Sequence, residues 1–140
     1  MAVVWSSILA SCTSGDVVAR IPSPDRNLEA IVVEDSGDAT TDFLYLVCIV
    51  SPGSNSCEKS SAAATLYGAR RNNRSAGVDV EWTDEHHVIV KYMKAKTVAI
   101  PKPIVSDKGV DIYVELRSNV INDNAPDGSM WNALNSAKKS

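Results

Sequence analysis

Val78-Asp79-Val80-Glu81-Trp82, then Thr83-Asp84-Glu85-His86, then His87-Val88-Ile89-Val90-Lys91-Tyr92 is the stretch that decides the fold. In the first segment apolar residues alternate with acids. In the last, Val88, Val90 and Tyr92 share a parity. Successive side chains of an extended chain point to opposite faces, so a period of two describes a strand with one wet face and one dry face. A polar four-residue link between two such runs reads as a hairpin. The same period recurs in Gly109 to Arg117, where Ile112, Val114 and Leu116 form the core side. Val17 to Ile21, Leu28 to Glu34 and Thr97 to Ile100 read as further strands. Phe43-Leu44-Tyr45-Leu46-Val47-Cys48-Ile49-Val50 is apolar without a break and suits a central strand buried on both faces. Ala62 to Gly68 is ambiguous, since its alanines favour helix and Thr65-Leu66-Tyr67 favours strand.

These segments predict an all-β fold: an antiparallel sheet, a sandwich or a small barrel of six to eight short strands. Met130 to Lys138 leaves room for one short C-terminal helix. The chain has 140 residues, 44% hydrophobic and 22% charged, which suits one soluble domain with one core. It divides into a leader-like segment (1–12), a tether with the first strand (13–22), a β-domain (23–117) and a polar tail (118–140).

Leu9-Ala10-Ser11-Cys12 resembles the lipobox of bacterial lipoproteins. That resemblance implies cleavage before Cys12, a lipid on its thiol and attachment to the envelope membrane from the periplasmic side. The residues alone also admit an apolar first strand with an ordinary buried cysteine. With Cys12 set aside, Cys48 and Cys57 form an even pair across a Pro52-Gly53 turn. A fold-back there would bring the thiols within bonding range; two free thiols are the other reading.

A wider pattern runs through Ser23-Pro24-Asp25, Leu28 to Glu34, Gly37 to Phe43 (with Ala39-Thr40-Thr41) and Val80-Glu81-Trp82. It resembles an uncharacterised family of small bacterial exported or lipoprotein domains. Their pattern is S-P-D-G-K, an apolar strand, G-A-T-T-x-F and a V-x-W hairpin. The resemblance spans about residues 23–117 and implies fold and location only. It departs at Arg26-Asn27, where the family favours Gly-Lys, and at the inserted Asp38.

Charge is distributed in blocks. The net charge of −3 resolves into −6 over residues 1–58, +4 over 59–102 and −1 over the remainder. The acidic stretch holds Glu34, Asp35, Asp38 and Asp42. The basic block holds Arg70, Arg71 and Arg74 in one loop, extended by Lys91, Lys94 and Lys96. Such segments screen one another or present docking loops to a protein partner. The overall acidity argues against a nucleic-acid binder.

Catalytic signatures are few. His86 and His87 are the two histidines, set in Asp84-Glu85-His86-His87, and no H-E-x-x-H, G-x-S-x-G or phosphate-loop motif is present. Asn122-Asp123-Asn124-Ala125-Pro126 matches part of a calcium-linker motif, but Val120 replaces its leading Asp. The expectation is a non-catalytic, exported domain that binds a protein partner, in concrete form an inhibitor or immunity protein, without cofactor or metal. An envelope structural or ligand-binding module, with calcium as one ligand, is the alternative. A small hydrolase using His86 or His87 is the third reading.

Overall fold

A computed structural model describes residues 16–35, 43–107 and 109–124. Over these the chain is all-β, with nine strands and no helix. They are β1 (Asp16–Pro22), β2 (Glu29–Asp35), β3 (Leu44–Val50), β4 (Ala64–Tyr67), β5 (Asp79–Asp84), β6 (His87–Lys91), β7 (Thr97–Ala99), β8 (Ile104–Asp107) and β9 (Val110–Arg117). The first sheet has the order β1-β2-β3-β4-β7, the second β5-β6-β9-β8. The result is a sandwich, not a closed barrel. The ambiguous segment after Ala62 takes the strand option, as β4. The C-terminal helix lies outside the described residues.

Two details differ from expectation. One of the pairings, β6 with β9, is parallel, while the others are antiparallel. The chain leaves β6, places β7 on the first sheet, returns as β8 and turns back into β9. That excursion supplies the crossover a parallel pair requires. The second difference is β8 itself, an extra strand preceded by Pro101 and Pro103. Proline donates no hydrogen bond and is tolerated next to an edge strand, which is what β8 is. Gly109, with φ 79°, makes the left-handed turn into β9.

The core lies between the sheets. Val18, Ala30, Val32, Tyr45, Val47 and Leu66 face Trp82, Val88, Val90, Ile112 and Val114. Burying a Val or Ile side chain contributes about 1.5–3 kcal/mol, so this set dominates stability. Trp82 donates Nε1 to Ile21 O at 2.8 Å, tying β5 to β1 where the two sheet edges meet.

A second cluster covers the other face of the first sheet: Ile31, Val33, Leu46, Cys48, Cys57 and Ala62. Cys48 and Cys57 are joined by a disulfide, Cα to Cα 5.7 Å. Arg20 clamps the connection that carries Cys57, donating Nη1 to Glu29 Oε1 (2.8 Å) and to Ser54 O (3.1 Å). Glu29 Oε1 also accepts from Gly53 N at 3.0 Å. Thus β2 and β3 are buried on both sides, as the unbroken apolar run implied.

The turn before β2 is self-contained. Asp25 Oδ1 accepts from Ser23 Oγ (2.6 Å) and Asn27 N (3.2 Å), and Ser23 Oγ accepts from Leu28 N (3.2 Å). The Ser23 hydroxyl above all holds the Asp25 carboxyl below its usual range. Arg26 adopts φ 62°, the conformation for which a glycine is best suited.

Candidate functional site: a cationic cleft

After β4 the chain cannot continue in the sheet. Gly68 turns it with φ 69°, its N–H donating to Phe43 O at 2.8 Å. A tight loop over residues 70–76 follows. Arg71 N and Asn72 N both donate to Ser75 O (2.8 and 3.4 Å), and Asn72 Oδ1 accepts from Arg74 N and Ser75 N (both 2.7 Å). A buried asparagine thus closes a turn that no run of apolar residues could have specified.

Arg70 fixes this loop to the chain leaving β6. Its N–H donates to Lys94 O (2.9 Å), and its carbonyl accepts from Met93 N (2.7 Å). Lys96 N then donates to Tyr67 O at 2.9 Å. The two segments form the walls of a surface cavity of about 430 Å³ lined by Gly68, Arg70, Asn73, Met93, Lys94, Ala95 and Lys96. A second hollow of about 210 Å³ shares Gly68 and Arg70 with the first. Phe43, Arg74, Ser75 and Ala76 are among its other walls.

Among the described residues the lining carries Arg70, Arg74, Lys94 and Lys96 and no carboxylate. The Lys96 ammonium lies 5.9 Å from the centre of the Tyr67 ring. Like charges held near one another raise the local potential and attract anions. The site is rigid at its base because backbone bonds hold both walls.

Arg71, expected among the partner-facing residues, is folded inward instead, 8% exposed. Its Nε lies 3.0 Å from Asp79 Oδ1, although neither Nε nor Nη1 makes a hydrogen bond of good geometry. Alternate residues of an extended loop point opposite ways, so Arg70 faces out when Arg71 faces in. Asn122 completes the anchor. It donates Nδ2 to Asp79 Oδ2 (3.1 Å), and its carbonyl accepts from Asn72 Nδ2 (3.2 Å). The amide of the calcium-like motif is thereby used to hold the tail against β5.

The acidic stretch is divided. Glu34 accepts the Tyr45 hydroxyl at 2.7 Å. Burial, reinforced by that carboxylate, pushes the Tyr45 phenol well above its usual range. Asp35 is half-buried opposite Leu44. Asp38, Asp42 and Cys12 lie outside the described residues. Phe43 lines the same hollow as Arg74.

The remaining candidates lie elsewhere. Lys91 leaves the basic block for the outer face of the second sheet, where it pairs with Glu81 at 2.8 Å. His87 Nδ1 lies 2.8 Å from Asp84 Oδ1, and its ring stacks on Tyr113 at 5.2 Å. The His87 hydrogen bond, with a backbone bond from His86, lowers the Asp84 pKa. Both histidines are exposed on the turn and the adjoining strand. Among the described residues no three His, Cys, Asp or Glu side chains gather to hold a metal ion.

The fold and the site define a two-sheet sandwich with a cleft lined by Arg70, Arg74, Lys94 and Lys96. Compared with protein-family models, with curated proteins and with solved structures, the chain matches none of them.

Proposed function

We propose that the protein is a non-catalytic binding domain that engages an acidic protein partner through the cationic cleft. The concrete form is an inhibitor or immunity protein working in the periplasm, lipid-anchored through Cys12. One observation carries the reading: Arg70, Arg74, Lys94 and Lys96 are gathered along one cleft, whose lining among the described residues includes no carboxylate. The rigid loop supports it, because a preorganised surface loses less entropy on association. The Cys48–Cys57 bond supports export, since such bonds persist in oxidising compartments. The anchor explains how a domain of this size would stay where its partner works.

Two measurements test it. Mass spectrometry after membrane fractionation should find residues 1–11 removed, a lipid-sized addition on Cys12 and a two-proton deficit for the cysteine pair. A soluble chain with an unmodified Cys12 would remove the anchor. Full-length protein on a resin should retain an acidic envelope protein, with retention falling as salt rises. Salt-independent retention, or none, would count against the cleft as the docking site.

A further inference from the structure

We infer that β8 is a docking edge for a second copy of this chain, the two β8 strands pairing antiparallel about a two-fold axis at Ile104. The inference is independent of the cleft.

The sandwich is closed along one side and open along the other. At the closed side β1 and β5 meet, tied by Trp82 and Ile21. The other two sheet edges are β7 and β8. β7 has three residues, Thr97, Val98 and Ala99, and exposes no large apolar side chain. β8 differs. Among the described residues four large apolar side chains are exposed, and three of them, Ile104, Val110 and Tyr113, lie on β8 and β9.

The main chain of β8 fixes what it can accept. Val114 N donates to Pro103 O at 2.8 Å, whereas Tyr113 N turns the other way and donates to His86 O at 2.7 Å. Along an antiparallel pair, hydrogen-bonded and non-bonded positions alternate. Ile104 stands opposite Tyr113 and Ser106 opposite Asp111. The N–H and C=O groups of Ile104 and Ser106 therefore point away from β9, off the edge of the sheet. Such a row is a template for another strand.

The side chains select that strand. Ile104, Tyr113 and His87 form one row on the outer face, since Tyr113 is the register partner of both others. An axis through Ile104 continues this row into its own copy, so that Ile104 meets its counterpart with a Tyr113 behind each. The same axis sets the exposed Lys102 opposite the second copy's Ser106. Ser106 is small and donates to Asp111 Oδ1 at 2.7 Å, which leaves Lys102 a path across it to that carboxylate. This match of opposite charges occurs twice, once on each side of the axis. An axis through Val105 would instead set each Ile104 against a serine. Pairing about a two-fold axis uses both edges, so association stops at the dimer.

The test is sedimentation velocity of the full-length, disulfide-intact chain, with Cys12→Ser in every sample to prevent cross-linking through that thiol. So short an edge should give a monomer at about 5 μM and a growing dimer by about 500 μM. Ile104→Lys should stay monomeric throughout. Lys102→Asp and Asp111→Lys should each weaken the dimer by about threefold to fivefold, and the two together should restore it. Ile104→Cys should cross-link to its copy on mild oxidation, because a bonded strand pair brings its Cα atoms to about 5.5 Å, within disulfide reach. Val110→Cys, also exposed but remote from the axis, should not. If Ile104→Lys lowers the melting temperature, Ile104→Thr replaces it. A monomer at every concentration would overturn the proposal, as would a dimer indifferent to the Ile104 substitution or growth past the dimer. A charge exchange that fails to restore pairing, or cross-linking through Val110→Cys as readily as through Ile104→Cys, would overturn the axis and with it the proposal.

Discussion

On the outer face of the first sheet, Ile31, Val33, Leu46 and Cys48 are nearly sealed from water. On the outer face of the second, Ile104 is 50% and Tyr113 44% exposed. The strands are of similar length and both sheets share one interior. The first sheet is overlaid by a connection cross-linked through Cys48–Cys57 and pinned through Arg20 and Glu29. The second is left open, edged by the pairs Glu81–Lys91 and Glu115–Arg117. Stability should therefore be concentrated on one side of the molecule.

The sharpest way to break this comparison is to truncate one residue on each face. Ile31→Ala removes a fully buried side chain from a site the disulfide keeps from collapsing, so it should cost about 2–5 kcal/mol. Tyr113→Ala, on the open face, should stay within about 0.5 kcal/mol. Urea titration of both variants against wild type checks the pair. Comparable losses would mean that the second sheet's outer face is as structural as the first's.

Opening the cross-link comes next. A Cys48→Ala, Cys57→Ala double variant should lose about 2–3 kcal/mol, the expected constraint for so short a loop. The loss should fall on the connection and on the β2–β3 face. Hydrogen exchange should therefore rise at Ile31 and Leu46 while Val88 and Ile112 keep their protection. Uniform deprotection would show that the two faces unfold as one unit.

A smaller change concerns the turn into β2. Arg26→Gly should raise stability by about 0.5–1 kcal/mol, because φ 62° costs an arginine more than a glycine. It lies outside both faces, so it should add to the Ile31→Ala effect without coupling. A thermal melt of the single and double variants decides this.

The contrast between faces was partly legible in the residues. An unbroken apolar run such as Phe43 to Val50 means water on neither side, and a strict alternation such as Val78 to Trp82 means water on one. The turn at Asp25 and the cysteine pair were also readable from local chemistry. Other features depend on distant pairing. The short Ile104-Val105 pair, just after Pro101 and Pro103, carries too little pattern to announce β8. The parallel β6–β9 pairing follows from where β7 goes, which no local period encodes. In the cleft, Arg70, Arg71 and Arg74 look equivalent in sequence. Their separation into outward and inward side chains is set by the bridges from Arg70 to Ala76 and Lys94. Asn72 and Asn122 carried no signal as anchors, because an amide is informative only once its donors and acceptors are in place.

The finest test of the comparison is acid. On the open face the Glu81 carboxyl is lowered by the hydrogen bond and charge of Lys91, and the Asp84 carboxyl by His87 and the His86 backbone. A carboxylate held below its unfolded value binds its proton less readily in the native state. Its contribution to stability is therefore complete above the unfolded pKa, 4.5 for Glu and 3.8 for Asp, and disappears as pH falls through the lowered one. The stability curve should thus be flat from neutral pH to about pH 5 and bend downward below about pH 4. Because these groups are exposed, the bend should be shallow and should weaken further in high salt. Glu81→Gln with Asp84→Asn should flatten it, whereas the Ile31→Ala and disulfide variants should shift the whole curve down without changing its shape. If the double carboxylate variant kept the acid bend, the source would lie elsewhere, with Asp25 the next group to replace, since its carboxyl is lowered in the same sense by Ser23.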